Sequence, residues 1–191
     1  MTIDRRQEIL NAAAQSFALF GYKATTMDQV AKQAHVGKGT IYTFFKNKEE
    51  LFHEIIKKLM HDMENAARHA IDPEKPFHNN VHQALYKMLE FRMDHQLTIK
   101  LVQEQRKIGT PIVQHVMQTL EQSTLLFIKN KVEKAIEQGE IKSCNPDIVA
   151  FVLLKIYIAL IFDWEKDREP LTEEEIAEIF QLYIFKGLSL T

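Results

Sequence analysis

One cysteine, Cys144, stands in 191 residues, so no intramolecular disulfide can form. A lone thiol suits a reducing compartment. Six glycines and five prolines are too few and too scattered for a collagenous or low-complexity chain. There is no internal repeat and no alternating run between turns that reads as a strand. The most hydrophobic stretch, Ile148 to Phe162, is interrupted by Lys155 and is short for a bilayer span. No apolar run of signal-peptide type opens the sequence, so a cytoplasmic protein is expected. Catalytic patterns are missing as well: there is no HExxH, CxxC, nucleophile elbow or Walker glycine run. Gly37-Lys38-Gly39-Thr40 lacks the leading glycine and the preceding strand of a phosphate loop. His78 and His82 are one helical turn apart but have no third ligand beside them. The expectation is a non-enzyme with no metal and no cofactor.

What is present is apolar and helical. Apolar residues make up 46% and charged residues 26%, enough to bury a core. Net charge is only -2, but it is unevenly spread. Residues 1–48 hold seven basic and three acidic residues, a net of +4, which leaves -6 for residues 49–191. A basic head on an acidic body suits a chain that docks one end on phosphate. Helical periodicity runs throughout. It predicts helices over Asp4–Phe20, from the Asn47 cap to about Ala70, and over Phe77–Asp94. Further helices are predicted over Leu97–Lys107, Pro111–Gln138 and Pro146–Trp164, with a last one after the Thr172 cap. Glycine is expected to end several of them, and Asn47 with Glu50 reads as a capping box. Asp72 to Pro76, with two prolines, is expected to be a linker.

The organising stretch is residues 25–48. Thr26 reads as an N-cap, and Met27, Val30, Ala31 and Ala34 make one apolar face. His35-Val36-Gly37 is the expected turn, with Gly37 as its flexible residue. Lys38 to Phe45 opens the next helix, with Val36, Ile41, Phe44 and Phe45 expected in the core. Two short helices across such a turn form a helix-turn-helix pattern.

From Arg6 to Phe52 the chain resembles the DNA-binding domain of the TetR family of bacterial transcriptional repressors (TetR/AcrR type). The resemblance lies in Ile9-Leu10-Asn11-Ala12-Ala13, Phe17 to Tyr22, Thr25-Thr26-Met27 and Ile41 to Leu51. It implies an all-α fold of about nine helices. Residues 1–47 would form the DNA-binding domain and residues 48–191 a ligand-binding and dimerisation domain. Implied partners are a palindromic double-stranded DNA operator, a small effector and a second copy of the chain, held through helices 8 and 9 in a nucleoid-associated complex without membrane contact. Independently, the helix expected over Pro146–Trp164, the eighth, has more apolar surface than one small core buries. Alternatives are an activator of the same fold, or a helical small-molecule-binding or protein-interaction module without DNA binding.

Lys38, Gly39, Thr40 and Thr43 suit the base-facing end of a helix in the major groove. Tyr42 and Lys48 match the family's phosphate-contacting tyrosine and lysine, and Thr26 and Met27 offer a helix N-terminus to phosphate. The resemblance places a pocket among helices 5 to 8. Polar candidates there are His82, Tyr86, Arg92, Glu104, Arg106, His115 and Tyr157. Aromatic and thioether candidates are Met88, Phe91, Met117, Phe127, Phe162 and Trp164. The set points to a largely apolar effector, fatty-acyl, lipid-like or planar aromatic, with Arg92 or Arg106 available to an anionic group.

Overall fold

The computed structural model describes residues 4–186 apart from Pro73, His95, Glu165 and Lys166. The side chains of Leu89, residues 91–94 and Phe162 also lie outside the described set. Nine α-helices follow one another among the described residues: α1 Arg5–Ala24, α2 Met27–Gln33, α3 Lys38–Phe44, α4 Lys48–His69, α5 Phe77–Asp94, α6 Gln96–Lys107, α7 Pro111–Glu137, α8 Pro146–Ile158 and α9 Glu173–Phe180. The last two continue into wider π turns, Ala159–Asp163 and Gln181–Phe185. The α-helical part of α8 thus stops six residues before the expected Trp164.

The chain forms two compact units. The first comprises Met1–Asp62 and Arg92–Thr119; the second comprises Met63–Phe91 and Leu120–Thr191. The functional boundary expected at 47/48 therefore falls inside the first unit, at the first residue of α4.

In the first unit, Ile9, Ala13, Phe17, Val30, Ile41, Phe45, Leu51, Phe52 and Leu101 are buried. An aromatic wedge locks α1 to α4. The Phe17 ring meets Phe52 edge-on at 5.1 Å, and Tyr22 lies 4.7 Å from Phe52. Phe20 is 53% exposed. It sits on the last turn before a break at Gly21, where Tyr22 takes over the buried face.

Gly21 has φ 83 and ψ 172, a region that essentially only glycine occupies. At this break two side chains from distant elements bond backbone groups of residues 22–25. Glu104 of α6, buried, accepts from the Tyr22 N–H at 2.7 Å and the Lys23 N–H at 3.1 Å. Lys48, the first residue of α4, donates its Nζ to the Tyr22 and Thr25 carbonyls at 2.8 and 2.9 Å. Its ammonium also lies 4.3 Å from the centre of the Tyr22 ring. The Thr110 hydroxyl donates to Glu104 Oε1 at 2.7 Å.

In the second unit, Met63, Val81, Leu85, Ile128, Val132, Leu153 and Ile176 build the core. A chain of rings runs through it, with Tyr157 4.0 Å from Phe180 and Phe180 5.9 Å from Phe185. Asn145 caps α8 ahead of Pro146, and Thr172 with Glu175 forms a full capping box on α9. The box expected on α4 is only half made. Asn47 Oδ1 accepts from the Glu50 N–H, but the Glu50 carboxylate goes to the Lys46 N–H rather than to that of Asn47. No helix among the described residues is long and apolar enough to cross a membrane.

Candidate nucleic-acid interface and effector cavity

Local chemistry builds the reading head. The Thr26 hydroxyl accepts from the Gln29 N–H at 3.3 Å, and Gln29 Oε1 accepts from the Thr26 N–H at 2.9 Å, so α2 starts on a complete capping box. Its other end is a Schellman closure. The Val36 N–H bonds the Ala31 carbonyl and the His35 N–H bonds that of Lys32. The left-handed residue of this turn is His35, at φ 53, and not Gly37. Gly37 is extended at φ -66 and serves as the N-cap of α3. Helix α2 is tied to α1 by the Ser16 hydroxyl, which donates to Gln33 Oε1 at 2.6 Å.

Helix α3 buries Ile41 and leaves Lys38, Gly39, Tyr42 and Thr43 exposed, with Thr40 half-buried. A Cβ at Gly39 would meet nothing within 4 Å, so backbone is open to an approaching surface there. Tyr42 is 44% exposed. The Thr43 hydroxyl donates to the Thr40 carbonyl at 2.7 Å and keeps its lone pairs for an outside donor. Phe44, expected in the core, is exposed, because α3 is a single short helix whose buried side is filled by Ile41 and Phe45. Thr26 is exposed, whereas Met27 is buried.

Two basic residues of the head already have partners. Lys38 bonds Asp28 at 2.9 Å, and this hydrogen bond, with the attraction of the same carboxylate, raises the lysine pKa. Lys48 spends two of its three N–H groups on the end of α1, and burial lowers its pKa. One Lys48 N–H is left over from these two bonds.

Of the expected effector residues, Arg92, Glu104, Arg106, His115 and Met117 belong to the first unit. Glu104 is committed to the backbone of α1, and Arg106 and His115 are exposed. The others belong to the second unit. His82 and Tyr157 are buried and bonded to each other, His82 Nδ1 to the phenol oxygen. Burial lowers the His82 pKa against the opposing pull of Glu173, whose carboxylate lies 4.0 Å from Nε2. Burial also pushes the Tyr157 phenol far up. Tyr86 is half-buried, its ring 6.0 Å from His82, and Met88 is buried. Trp164 is exposed and donates to the Glu169 carbonyl at 3.0 Å. The side chains of Phe91, Arg92 and Phe162 lie outside the described residues.

A cavity of about 230 Å³ opens in the second unit between the first turns of α5 and the last turns of α7. Phe127 is the one expected effector residue on its wall. Phe77, Val81, Leu85 and Ile128 form an apolar floor, and Lys75, Lys131, Lys134 and Glu140 stand among the polar residues of the lining. Sequence reasoning passed over the α7 lysines because a lysine on a helix surface is ordinarily a solvated one. Among the described residues, no group of three or more histidine, cysteine or carboxylate side chains is placed to hold a metal.

A three-helix head built on a helix-turn-helix, followed by an all-helical body, defines a helix-turn-helix DNA-binding regulator. A family model for bacterial regulatory proteins of the tetR family matches residues 9–55. The HTH-type transcriptional regulator YhgD of Bacillus subtilis (strain 168) is 60% identical over 189 residues, covering 99% of each chain. The chain belongs to the TetR family of helix-turn-helix transcriptional regulators; it is a DNA-binding regulator of transcription and not an enzyme. The fatty acid metabolism regulator protein of the same organism is 28% identical over 136 residues, 71% of this chain and 70% of that one. Among solved structures, the fold is shared by the transcriptional regulator FadR from Bacillus subtilis in complex with stearoyl-CoA. That similarity has a TM-score of 0.71 and 21% identity, and covers 96% of that chain and 91% of this one.

Proposed function

We propose that the protein is a homodimeric repressor that leaves a palindromic operator when its second unit takes up a small, largely apolar effector. The observation that carries the DNA half is the exposed face of α3: Lys38, Gly39, Tyr42 and Thr43 on one short helix beside the capped start of α2. In this reading Thr40 and Thr43 meet base edges, with Gly39 allowing close approach. Tyr42, the free Lys48 donor, Thr26 and the Met27 N–H hold phosphates. The dimer is supported by apolar side chains left in solvent: Ile148, Phe151 and Val152 on α8, and Leu182 and Tyr183 after α9, at 38 to 72% exposure. The names of two relatives, one a fatty acid metabolism regulator and one crystallised with stearoyl-CoA, favour an acyl-type effector.

The chain passes between its two units inside α4, α5 and α7. An effector that favours one packing of these helices thereby biases the head, provided it binds one global state better than the other. Fluorescence anisotropy on genomic fragments selected by the protein tests the reading. Tyr42→Phe and Lys48→Met should each weaken binding about tenfold, on the order of 1.4 kcal/mol. Equal binding by wild type and the double variant would refute the contact assignment.

A further inference from the structure

The cavity between α5 and α7 has an imbalance of charge that the DNA-binding reading does not use. Its floor is apolar and buried: Phe77 is 7% exposed, Val81 5%, Leu85 1% and Ile128 2%. Its lining carries three lysines and one carboxylate. The carboxylate is spoken for, since Glu140 Oε2 accepts from the Phe77 N–H at 3.0 Å and so satisfies the start of α5. Lys75 has a distant partner in Asp72, at 3.9 Å. Lys131 and Lys134, one α7 turn apart, have no carboxylate within ion-pair distance among the described residues. Lys131 is half-buried, with its ammonium 5.6 Å from the centre of the Phe127 ring and the Arg68 guanidinium 6.0 Å away from that ring on its own account. Burial and the neighbouring Lys134 and Arg68 charges lower its pKa. Arg68 is paired with Glu64 at 2.6 Å, which leaves Lys131 and Lys134 as the cations to be matched; unpaired cations beside an apolar cavity are stabilised by an anion that brings its own apolar body.

We propose that this cavity binds a single-headed anionic amphiphile, a carboxylate held by Lys131 and Lys134 with its hydrocarbon tail on Phe77, Val81, Leu85 and Ile128. The proposal rests on the reading that the second unit takes an effector, and it gives that effector a charge, a head and a position. The volume is below the roughly 300–1,000 Å³ typical of drug-sized ligands, so the cavity holds the head and a short chain, and any longer tail runs out through the mouth. Asn80 does not compete for the head, because its side chain is bonded to the Asp72 and Lys75 backbone.

The test is isothermal titration of the full-length protein with sodium octanoate, with octanol, and with inorganic phosphate. Octanoate should bind at least tenfold more tightly than octanol or phosphate, because the site needs both a charge and a tail. Lys131→Gln with Lys134→Gln should abolish that preference, whereas Lys131→Arg with Lys134→Arg should retain it; thermal melts confirm that both pairs fold. Octanoate binding that is undiminished in the glutamine pair, absent from wild type, or no better than that of octanol or phosphate overturns the proposal. Anisotropy on selected operator fragments is the separate readout for the repressor reading. Octanoate that binds through the lysines but leaves DNA affinity unchanged sinks the release mechanism and leaves the site standing. DNA release by another compound, unaffected by the lysine substitutions and accompanied by no octanoate binding, sinks the site and leaves the repressor standing.

Discussion

Gly21→Ala should be among the most damaging single-methyl additions to this chain, for two reasons that add. At φ 83 and ψ 172 the backbone lies where side chains are essentially excluded, a strain of about 1–3 kcal/mol. The new Cβ would also stand 2.5 Å from Glu104 Oε2, well inside contact distance. Glu104 cannot swing away freely, because that oxygen takes the Tyr22 N–H at 2.7 Å and its partner oxygen takes Lys23 and Thr110. Losing even one hydrogen bond to the buried carboxylate costs about 1.5–3 kcal/mol. The sum is about 2.5–6 kcal/mol, a large fraction of a normal folding stability. For a chain of this size it lowers the melting temperature by on the order of 10 °C. Circular dichroism melts of wild type, Gly21→Ala, Glu104→Ala and the double variant provide the cycle. The double variant should be less destabilised than the two singles combined, since truncating Glu104 removes the atom that the methyl strikes. A Gly21→Ala melt within 2 °C of wild type would refute the reasoning outright. Strict additivity would refute the steric half and leave the backbone half.

Three further outcomes follow from named contacts. Asp28→Asn releases Lys38 from its carboxylate and removes a negative charge from the head, so operator affinity should rise severalfold at low salt and fall more steeply as salt is added; an unchanged salt slope counts against it. The fold holds the His82 imidazole below its ordinary value of 6.5, so below pH 6.5 the unfolded chain takes up the extra proton and stability is lost as pH falls. Wild type should therefore lose more melting temperature between pH 7.5 and 5.5 than His82→Gln, and parallel losses would show that this histidine is not responsible. Phe151→Glu with Tyr183→Glu places charge on the exposed faces of α8 and of the turn after α9; sedimentation should show monomers and operator affinity should drop, whereas an intact dimer would move the interface elsewhere.

Much of this protein was legible without coordinates, for a local reason. The caps at Thr26, Asn145 and Thr172 act within three residues, so sequence alone placed the starts of α2, α8 and α9. Helical periodicity and the motif between Ile9 and Leu51 likewise determined the all-α class and the family. Where the sequence misled, a competing local partner or a distant one had won: His35 rather than Gly37 took the left-handed turn, and Glu50 reached Lys46 rather than Asn47. The destinations of the buried polar groups belonged to tertiary structure. Glu104 meets Tyr22 across 82 positions, His82 meets Tyr157 across 75, and Lys48 reaches the Tyr22 carbonyl across 26. The lysines of the α5–α7 cavity acquire a role only once Phe77 and Val81 are laid beside them. A helix start can be read locally because its donors are met within one turn. A buried charge must be met by whatever the fold brings to it, and only the packed structure says what that is.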